Sequence, residues 1–197
     1  MSKLLCLLII AAITACGNNS GEKSAVHDEL KSRIGKKLDL PFVSDNRNEY
    51  RFKIVSFING DCPSCLENMD LWEDFIPQIN NKDSILFIIY LCSSNFDYLK
   101  KYCKLLSNPF VTIIEDNDKI FYKSNSLSDN KMFHTFITNQ SNEILLVGNP
   151  VLNKNLEVLY LKLINNGIAV QKIVWNYKNV VVQESSPLLL KNWLAKN

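Results

Sequence analysis

Two of the six cysteines in this chain of 197 residues lie three positions apart, in the sequence Cys62-Pro63-Ser64-Cys65. At the start of a helix this spacing brings the two side chains close enough to bridge, with the first one at the helix terminus. Unpaired backbone N–H groups and the helix dipole there favour the thiolate of the first cysteine. Such a thiolate can attack a disulfide of another protein, and the second cysteine can then release the reduced partner. The motif therefore predicts reversible thiol–disulfide exchange.

A zinc site and a purely structural disulfide are the alternatives for this pair. Zinc normally needs further ligands at related spacing, and the chain contains only His27 and His134 and no second C-x-x-C. We therefore predict no metal and no other cofactor. A structural disulfide stays open, because exported domains use cysteines in that way. Its weakness is that a bridge over so short a loop restricts the unfolded chain little.

The motif lies between a predicted strand, residues 51–58, and a predicted amphipathic helix that begins at Pro63. Residues 119–131 have no clear pattern; their structure stays open, and they are expected to include loop. A buried strand is predicted over residues 84–91, a helix over 96–106 and a short strand over 111–115. Two strands over 132–138 and 143–147 form a predicted hairpin, and a last helix is predicted over 155–164. Early strand–helix alternation predicts parallel pairing, and the hairpin adds antiparallel edge strands. The predicted fold class is therefore an α/β mixed sheet flanked by helices.

With these elements around its cysteines, the chain resembles the thioredoxin-like family, specifically exported, membrane-tethered thiol–disulfide oxidoreductases of the TlpA/ResA type. The resemblance covers roughly residues 35–166. It is carried by strand 52–58 leading into the cysteine motif, by Thr135-Phe136-Ile137-Thr138 before a turn and residues 143–147, and by Ile34-Gly35-Lys36 with Leu40-Pro41. It implies a thioredoxin-like central sheet, Cys62 as nucleophile, Cys65 as resolving thiol, and a protein dithiol or disulfide as partner.

Two residues near the motif differ from that family's pattern. Asp61 precedes the first cysteine where an aromatic residue is usual, and its carboxylate is expected to disfavour the Cys62 thiolate. Ser56 stands where the family has a buried acid that helps to move the proton of the second cysteine. Both differences would weaken the chemistry of the pair relative to the family.

The family also has a cis-proline before the hairpin strand, and here Phe133, or by a shifted alignment His134, takes its place. We expect a trans bond there, because a cis bond without proline costs about 3 kcal/mol. His134 could share protons with Cys62, or be an ordinary strand histidine. Without the proline, the substrate groove of this chain would differ from that of the family. A second function therefore stays open, namely a non-catalytic thioredoxin-fold module that docks a partner protein at the cell envelope. The resemblance implies that the substrate groove contains Pro63, Ser64, Phe133 and His134.

The first sixteen residues have the pattern of an export signal. After Met1-Ser2-Lys3, residues 4–13 form an apolar run too short to span a bilayer, which needs about 20 residues. The run ends in Ile13-Thr14-Ala15-Cys16, which resembles the bacterial lipobox and implies cleavage before Cys16 and lipidation of its sulfur. We therefore predict a protein of the cell envelope, anchored to a membrane through lipid on Cys16. Its soluble domain would lie outside the cytoplasm, most simply in the periplasm.

The predicted organisation is a signal peptide over residues 1–15 and a lipid-anchored tether with a short helix over 16–34. A thioredoxin-like domain follows over 35–167, and a C-terminal extension over 168–197 packs on it. The formal net charge is only +2, which does not favour nucleic acid, so we predict no such partner. Cys92, after a predicted strand, and Cys103, on the next predicted helix, could form a second disulfide. Buried free thiols are the alternative, since cysteine is a common core residue.

Overall fold

A computed structural model describes residues 28–43 and 49–166 of the chain. The chain divides into two units between Ser32 and Arg33. Of residues 16–34, for which a tether with a short helix is predicted, residues 28–33 are helical and form α1. The predicted signal peptide, Cys16 and the C-terminal extension lie outside the described residues. Within those residues, no helix has the length and apolar character that crossing a membrane requires.

The described residues contain a five-stranded mixed sheet with the strand order β3-β2-β1-β4-β5. The strands are β1 (Phe52–Asn59), β2 (Ile85–Cys92), β3 (Val111–Glu115), β4 (Thr135–Asn139) and β5 (Ile144–Val147). The first three strands pair in parallel, and β4 and β5 add antiparallel pairs beside β1. Every residue of β2 is buried, which explains its continuous apolar sequence. With the cysteine motif directly after the central strand, the predicted thioredoxin-like mixed sheet is confirmed.

Helices flank the sheet on both faces. They are α2 (Pro63–Phe75), α3 (Phe96–Tyr102), α4 (Ile120–Ser124) and α5 (Lys154–Asn166). Trp72 of α2 meets Phe87 of β2 edge to face, with ring centroids 4.9 Å apart. Phe121 of α4 stacks on Tyr90 of β2 at 4.1 Å. Because strand residues three positions apart point to opposite sides, α2 and α4 cover opposite faces of the sheet.

Two predicted helices end earlier than the sequence pattern suggests. The helix from Pro63, whose apolar pattern extends to Ile79, ends at Phe75, because Pro77 has no N–H to donate to the carbonyl four residues earlier; a 3-10 turn, Ile76–Gln78, follows. The helix predicted over residues 96–106 ends at Tyr102, since Cys103 is extended with φ −98° and ψ 111°. A 3-10 turn, Lys104–Ser107, continues the chain.

The segment before the hairpin differs most from the prediction. The segment 119–131, which the sequence left open, contains α4, and the strand predicted from residue 132 begins only at Thr135. In between, Lys131–Phe133 forms a 3-10 turn whose first residue follows the cap Asn130. Because β4 runs antiparallel to β1 and Thr135 pairs with Ser56, this turn lies at the edge of the sheet where β1 ends. That is the edge from which the cysteine motif emerges.

Candidate redox site

The two motif cysteines lie at the start of α2. Cys62 is the N-cap with an extended backbone, φ −102° and ψ 111°, and Pro63 occupies the first turn. The Cys62 carbonyl accepts hydrogen bonds from the N–H groups of Cys65 at 2.9 Å and Leu66 at 3.2 Å. Both cysteines are free thiols and half-buried, whereas Pro63 and Ser64 are exposed. The predicted placement at a helix terminus is confirmed, and both sulfurs belong to partly accessible residues.

The turn between β1 and α2 depends on Gly60. Its N–H donates to the carbonyl of Cys92 at 2.7 Å, which joins the turn to the end of β2. A Cβ at Gly60 would lie 2.7 Å from Cδ1 of Leu99 and 2.9 Å from Cβ of Ser93. These distances are well below the carbon–carbon contact distance of about 3.5 Å. Glycine therefore allows the turn that leads to Cys62 to pack directly on its neighbours.

Hydrogen-bond donors surround the Cys62 sulfur. The ammonium of Lys131 lies 3.0 Å from it, and the Ser64 hydroxyl lies at 3.2 Å. Hydrogen bonds from the Cys65 thiol, then from Lys131 and Ser64, lower the pKa of Cys62 from 9.0 to about 6. About nine tenths of a thiol with that pKa is thiolate at pH 7. Cys62 therefore has the charge state of a nucleophile.

Cys65 has the opposite character. Burial, and then the hydrogen bond that its thiol gives to Cys62, raise the pKa of Cys65. Lys131 acts against this rise, since its Nζ lies 3.3 Å from the Cys65 sulfur. The pKa of Lys131 itself is raised by its hydrogen bonds to Cys62 and Cys65, so it is a cation at neutral pH. The reduced pair thus holds one proton on Cys65, one negative charge on Cys62 and one ammonium in contact with both sulfurs.

Sequence reasoning missed Lys131, because it closes a segment without clear periodicity. The signal that could have found it is topological. Residues just before β4 must lie near residues just after β1, because the two strands are antiparallel neighbours. A cationic residue four positions before Thr135 was therefore a candidate for contact with the cysteines.

Asp61 does not act on Cys62 as the sequence suggested. One of its carboxylate oxygens accepts hydrogen bonds from the Ser94 N–H and hydroxyl, both at 2.9 Å, and from the Ser93 hydroxyl at 3.2 Å. These bonds, the Ser94 N–H first, lower the pKa of Asp61. Asp61 is not among the principal causes of the Cys62 pKa shift. The opposition to the thiolate that the sequence suggested does not prevail, and this carboxylate is bonded to the loop after β2.

A cavity of about 310 Å³ adjoins the pair on the side of Cys65. Ser56, in the position of the family's buried acid, lines it, and its hydroxyl lies 2.9 Å from the Thr135 hydroxyl. Both hydroxyls are buried and uncharged. Neither can take the place of the carboxylate as a base for Cys65. Other side chains that line the cavity include those of Asn68, Trp72, Tyr122, Lys131 and Leu152.

The residues in the place of the cis-proline have different surroundings from those expected. Every described peptide bond is trans, which confirms the expectation for Phe133. Phe133 is only 1% exposed and is not among the described residues that line the cavity. His134 lines it, but its Nε2 bonds to the carbonyl of Ser128 at 2.7 Å. Burial lowers the pKa of His134, so the ring is neutral at pH 7 and is bonded to a backbone carbonyl rather than to Cys62.

Cys92 and Cys103 are free thiols in the structure. Cys92 is buried, and its sulfur lies 3.9 Å from the carbonyl oxygen of Asn117. Cys103 is half-buried, and its neighbouring carboxylates are those of Asp70 and Glu73 on α2. Of the two alternatives left open by the sequence, the structure contains the free thiols rather than the second disulfide.

Metal ligands are not grouped at the candidate site. Within residues 28–43 and 49–166, no three His, Cys, Asp or Glu side chains are placed so that they could hold a metal ion together. The ammonium of Lys131 instead occupies the place beside both sulfurs, where it would repel a metal cation.

Comparisons with known proteins give matches in shape but not in sequence. No protein-family model and no curated protein sequence matches the chain. The thioredoxin domain of a thiol-disulfide oxidoreductase from Bacteroides vulgatus superposes with a TM-score of 0.48 at 14% identity, over 67% of this chain and 98% of that domain. A thioredoxin-like protein from Bacteroides caccae gives 0.49 at 17% identity, over 76% of this chain and 58% of that one. A thiol:disulfide interchange protein from Bacteroides sp. gives 0.41 at 16% identity, over 57% and 74%. The fold assignment accordingly depends on the sheet order and on the place of the cysteine motif.

Proposed function

We propose that this protein is a thiol–disulfide oxidoreductase that acts on protein disulfides through Cys62 and Cys65. The observation that carries the proposal is the state of the Cys62 sulfur. It belongs to a half-exposed helix N-cap residue, and its pKa is lowered to about 6 by the donors around it. A structural disulfide would need no such stabilisation of one thiolate, whereas a nucleophile does.

The exchange has two steps. The Cys62 thiolate attacks one sulfur of the partner's disulfide; a mixed disulfide forms, and the other partner sulfur leaves as a thiolate that takes a proton from water. Cys65 then loses its proton and attacks the Cys62 sulfur, so that the Cys62–Cys65 disulfide forms and the mixed disulfide breaks. The second partner thiolate leaves and takes up that proton. Two electrons pass to the partner, and the reverse sequence oxidises a partner dithiol.

Single-cysteine variants test this proposal. With dithiothreitol as the reductant, the wild type should accelerate insulin reduction, and Cys62→Ser should remove the acceleration. Cys65→Ser should trap mixed disulfides that are visible on a non-reducing gel. Cys103→Ser removes a thiol away from the α2 terminus and serves as the matched control, with wild-type activity expected. A wild type that is inactive with each of several protein disulfides and dithiols, or an active Cys62→Ser, would refute the proposal.

A non-catalytic docking module is the second candidate, and the turn before β4 favours it. The place of the family's cis-proline is taken by the 3-10 turn Lys131–Phe133. The side chain of Met132 in this turn is 52% exposed, and that of Leu152, which lines the cavity, is 56% exposed. Under this alternative, a Cys62→Ser/Cys65→Ser double variant would bind its envelope partner as tightly as the wild type. Loss of binding in the double variant would favour the exchange reaction.

For the cellular setting, we propose export and lipidation at Cys16, with the folded domain outside the cytoplasm and most simply in the periplasm. The proposal includes a signal peptide over 1–15, a tether over 16–34, the thioredoxin-like domain over 35–167 and an extension over 168–197. The support is the basic start, apolar run and lipobox-like Ile13-Thr14-Ala15-Cys16. In a bacterial host, the wild type should partition into detergent and incorporate labelled fatty acid. Cys16→Ala should do neither, and an unlabelled wild type would contradict lipidation.

A further inference from the structure

We infer that Lys131 is a catalytic residue that serves both steps of the exchange. Its ammonium stabilises negative charge on the Cys62 sulfur in the reduced pair, and on the Cys65 sulfur once Cys62 is bonded to a partner. The inference deepens the proposed function and depends on it for the identity of the reaction. Its basis is contact, since the same nitrogen lies 3.0 Å from one sulfur and 3.3 Å from the other.

The short turn that carries Lys131 is held in place by its own backbone. The Asn130 side chain accepts a hydrogen bond from the Met132 N–H at 3.0 Å. The Asn130 carbonyl accepts one from Phe133, also at 3.0 Å, and the Lys131 carbonyl accepts one from His134 at 3.2 Å. The buried Phe133 side chain fixes the other end of the turn in the core. The backbone that carries the ammonium is therefore ordered, although the Lys131 side chain is exposed.

Other charged or titratable groups near the pair have different contacts. Asp61 bonds to Ser93 and Ser94. His134 bonds to a backbone carbonyl, and Asp129 accepts the Tyr122 hydroxyl at 3.0 Å. Lys119 lines the same cavity. In the described part of the chain, the hydrogen bonds of charged side chains to either sulfur come from Lys131.

The second step shows why one ammonium in contact with both sulfurs is useful. In the reduced pair, the hydrogen bond to Cys62 and its negative charge both raise the pKa of Cys65, while Lys131 lowers it. When Cys62 becomes part of a mixed disulfide, its charge disappears and the contact between Lys131 and Cys65 remains available. The Cys65 thiolate is then easier to form at the moment when it must attack. Lys131 keeps its protons throughout, and the Cys65 proton passes to the departing partner thiolate.

This role accounts for the neutral residue in the place of the family's buried acid. An acid there would accept the Cys65 proton, whereas Ser56 bonds to the Thr135 hydroxyl and carries no charge. An ammonium instead favours the thiolate by direct attraction and by a charge-assisted hydrogen bond. The chain therefore promotes the same deprotonation with a cation in place of a base.

A neutral dipyridyl disulfide separates the two steps without any protein substrate. Attack by Cys62 releases one coloured pyridinethione, and attack by Cys65 on the mixed disulfide releases the second. In the full-length protein, Lys131→Met should raise the pH midpoint of the first release by about one unit. It should also slow the second release at pH 7 about tenfold, as expected for the loss of one charge-assisted hydrogen bond. Cys65→Ser should show the first release only.

Two lysine variants complete the test. Lys123→Met removes one positive charge from an exposed position on α4 and should leave both releases unchanged. Lys131→Arg keeps the charge and should restore most of the wild-type midpoint. Wild-type midpoint and second-release rate in Lys131→Met would overturn the inference. Because the probe is a small disulfide, this result is distinguishable from failure of the proposed function, which is judged by insulin reduction and by the cysteine variants.

Discussion

The described residues contain two pairs of cysteines whose surroundings contrast. Cys62 accepts hydrogen bonds from Cys65, Lys131 and Ser64, and its pKa falls to about 6. Burial raises the pKa of both Cys92 and Cys103. Burial is the largest cause of the shift at Cys92 and Cys103, whereas hydrogen-bond donors are the largest causes at Cys62. The difference teaches that the balance between donors and burial decides the pKa of a cysteine.

Helix position adds to the same contrast. Cys62 caps the N-terminus of α2, where the backbone N–H groups and the dipole favour a thiolate. Cys103 caps the C-terminus of α3, and its N–H donates to the Leu99 carbonyl at 2.8 Å. The carboxylates of Asp70 and Glu73 raise the pKa of Cys103 further and so oppose a thiolate. The two cysteines thus lie at opposite electrostatic ends of their helices.

Selective alkylation should show the largest effect. Near pH 5.5, about a quarter of Cys62 is thiolate, against about 0.03% of a thiol with the ordinary pKa of 9.0. A low-pKa thiolate is intrinsically less reactive, which reduces the ratio of these two thiolate fractions by about 20-fold. A preference of roughly 30-fold in the labelling rate remains. Iodoacetamide followed by peptide mass spectrometry should therefore label Cys62 about 30 times faster than Cys92 or Cys103. Equal labelling of Cys62 and Cys103 would remove the basis of the contrast.

The pH dependence of stability is a smaller effect of the same charge. The pKa of Cys62 is about 6 in the folded protein and 9.0 without its partners, so the unfolded chain binds more protons between these values. Its contribution to stability is therefore fully present above pH 9 and is lost as the pH falls through 6. Urea unfolding of the reduced protein should show a free energy of unfolding that rises from pH 6 to 9.

The matched variants for that measurement are Cys62→Ser and Cys103→Ser. The first should flatten the rise between pH 6 and 9, because it removes the stabilised thiolate. The second should keep the wild-type slope. A Cys62→Ser protein with an unchanged slope would show that other groups titrate in this range.

Asp61→Asn should have the smallest effect on the pair. The carboxylate bonds to Ser93 and Ser94, so its charge is absent from the principal causes of the Cys62 pKa shift. We expect the pH midpoint of Cys62 alkylation to move by less than about 0.3 units, with a modest loss of stability because a charge-assisted bond to the Ser94 N–H weakens. A drop in the midpoint of one unit would restore the view that Asp61 opposes the thiolate.

The sheet and the cysteine motif were predictable because their signals are strong and local. The continuous apolar run of β2 requires burial on both faces, and Pro63 directly after Cys62 indicates a helix start. The hairpin was recognisable from Asn139-Gln140-Ser141-Asn142 between two apolar runs. These features depend on near neighbours in the chain, so the sequence alone contains them.

The electrostatics of the pair depend on contacts that are distant in the chain. Lys131 is 69 positions from Cys62, and Asp61 bonds to residues more than 30 positions away. Asp61 is adjacent to Cys62 in sequence, but in the folded chain its carboxylate bonds to the loop after β2. The ammonium of Lys131 contacts the Cys62 sulfur instead. A side chain's direction at a turn is set by tertiary packing, and no local pattern reports it.

The glycine before the motif has a mechanical consequence. The Leu99 and Ser93 side chains occupy the space where a Cβ at residue 60 would lie, and the Gly60 N–H bonds to the end of β2, so the turn is closely packed. If the proposed exchange takes place, we expect the bridge between the two sulfurs to form and open by rotation of the cysteine side chains. The backbone of this turn would then present the same surface to a partner protein in either oxidation state.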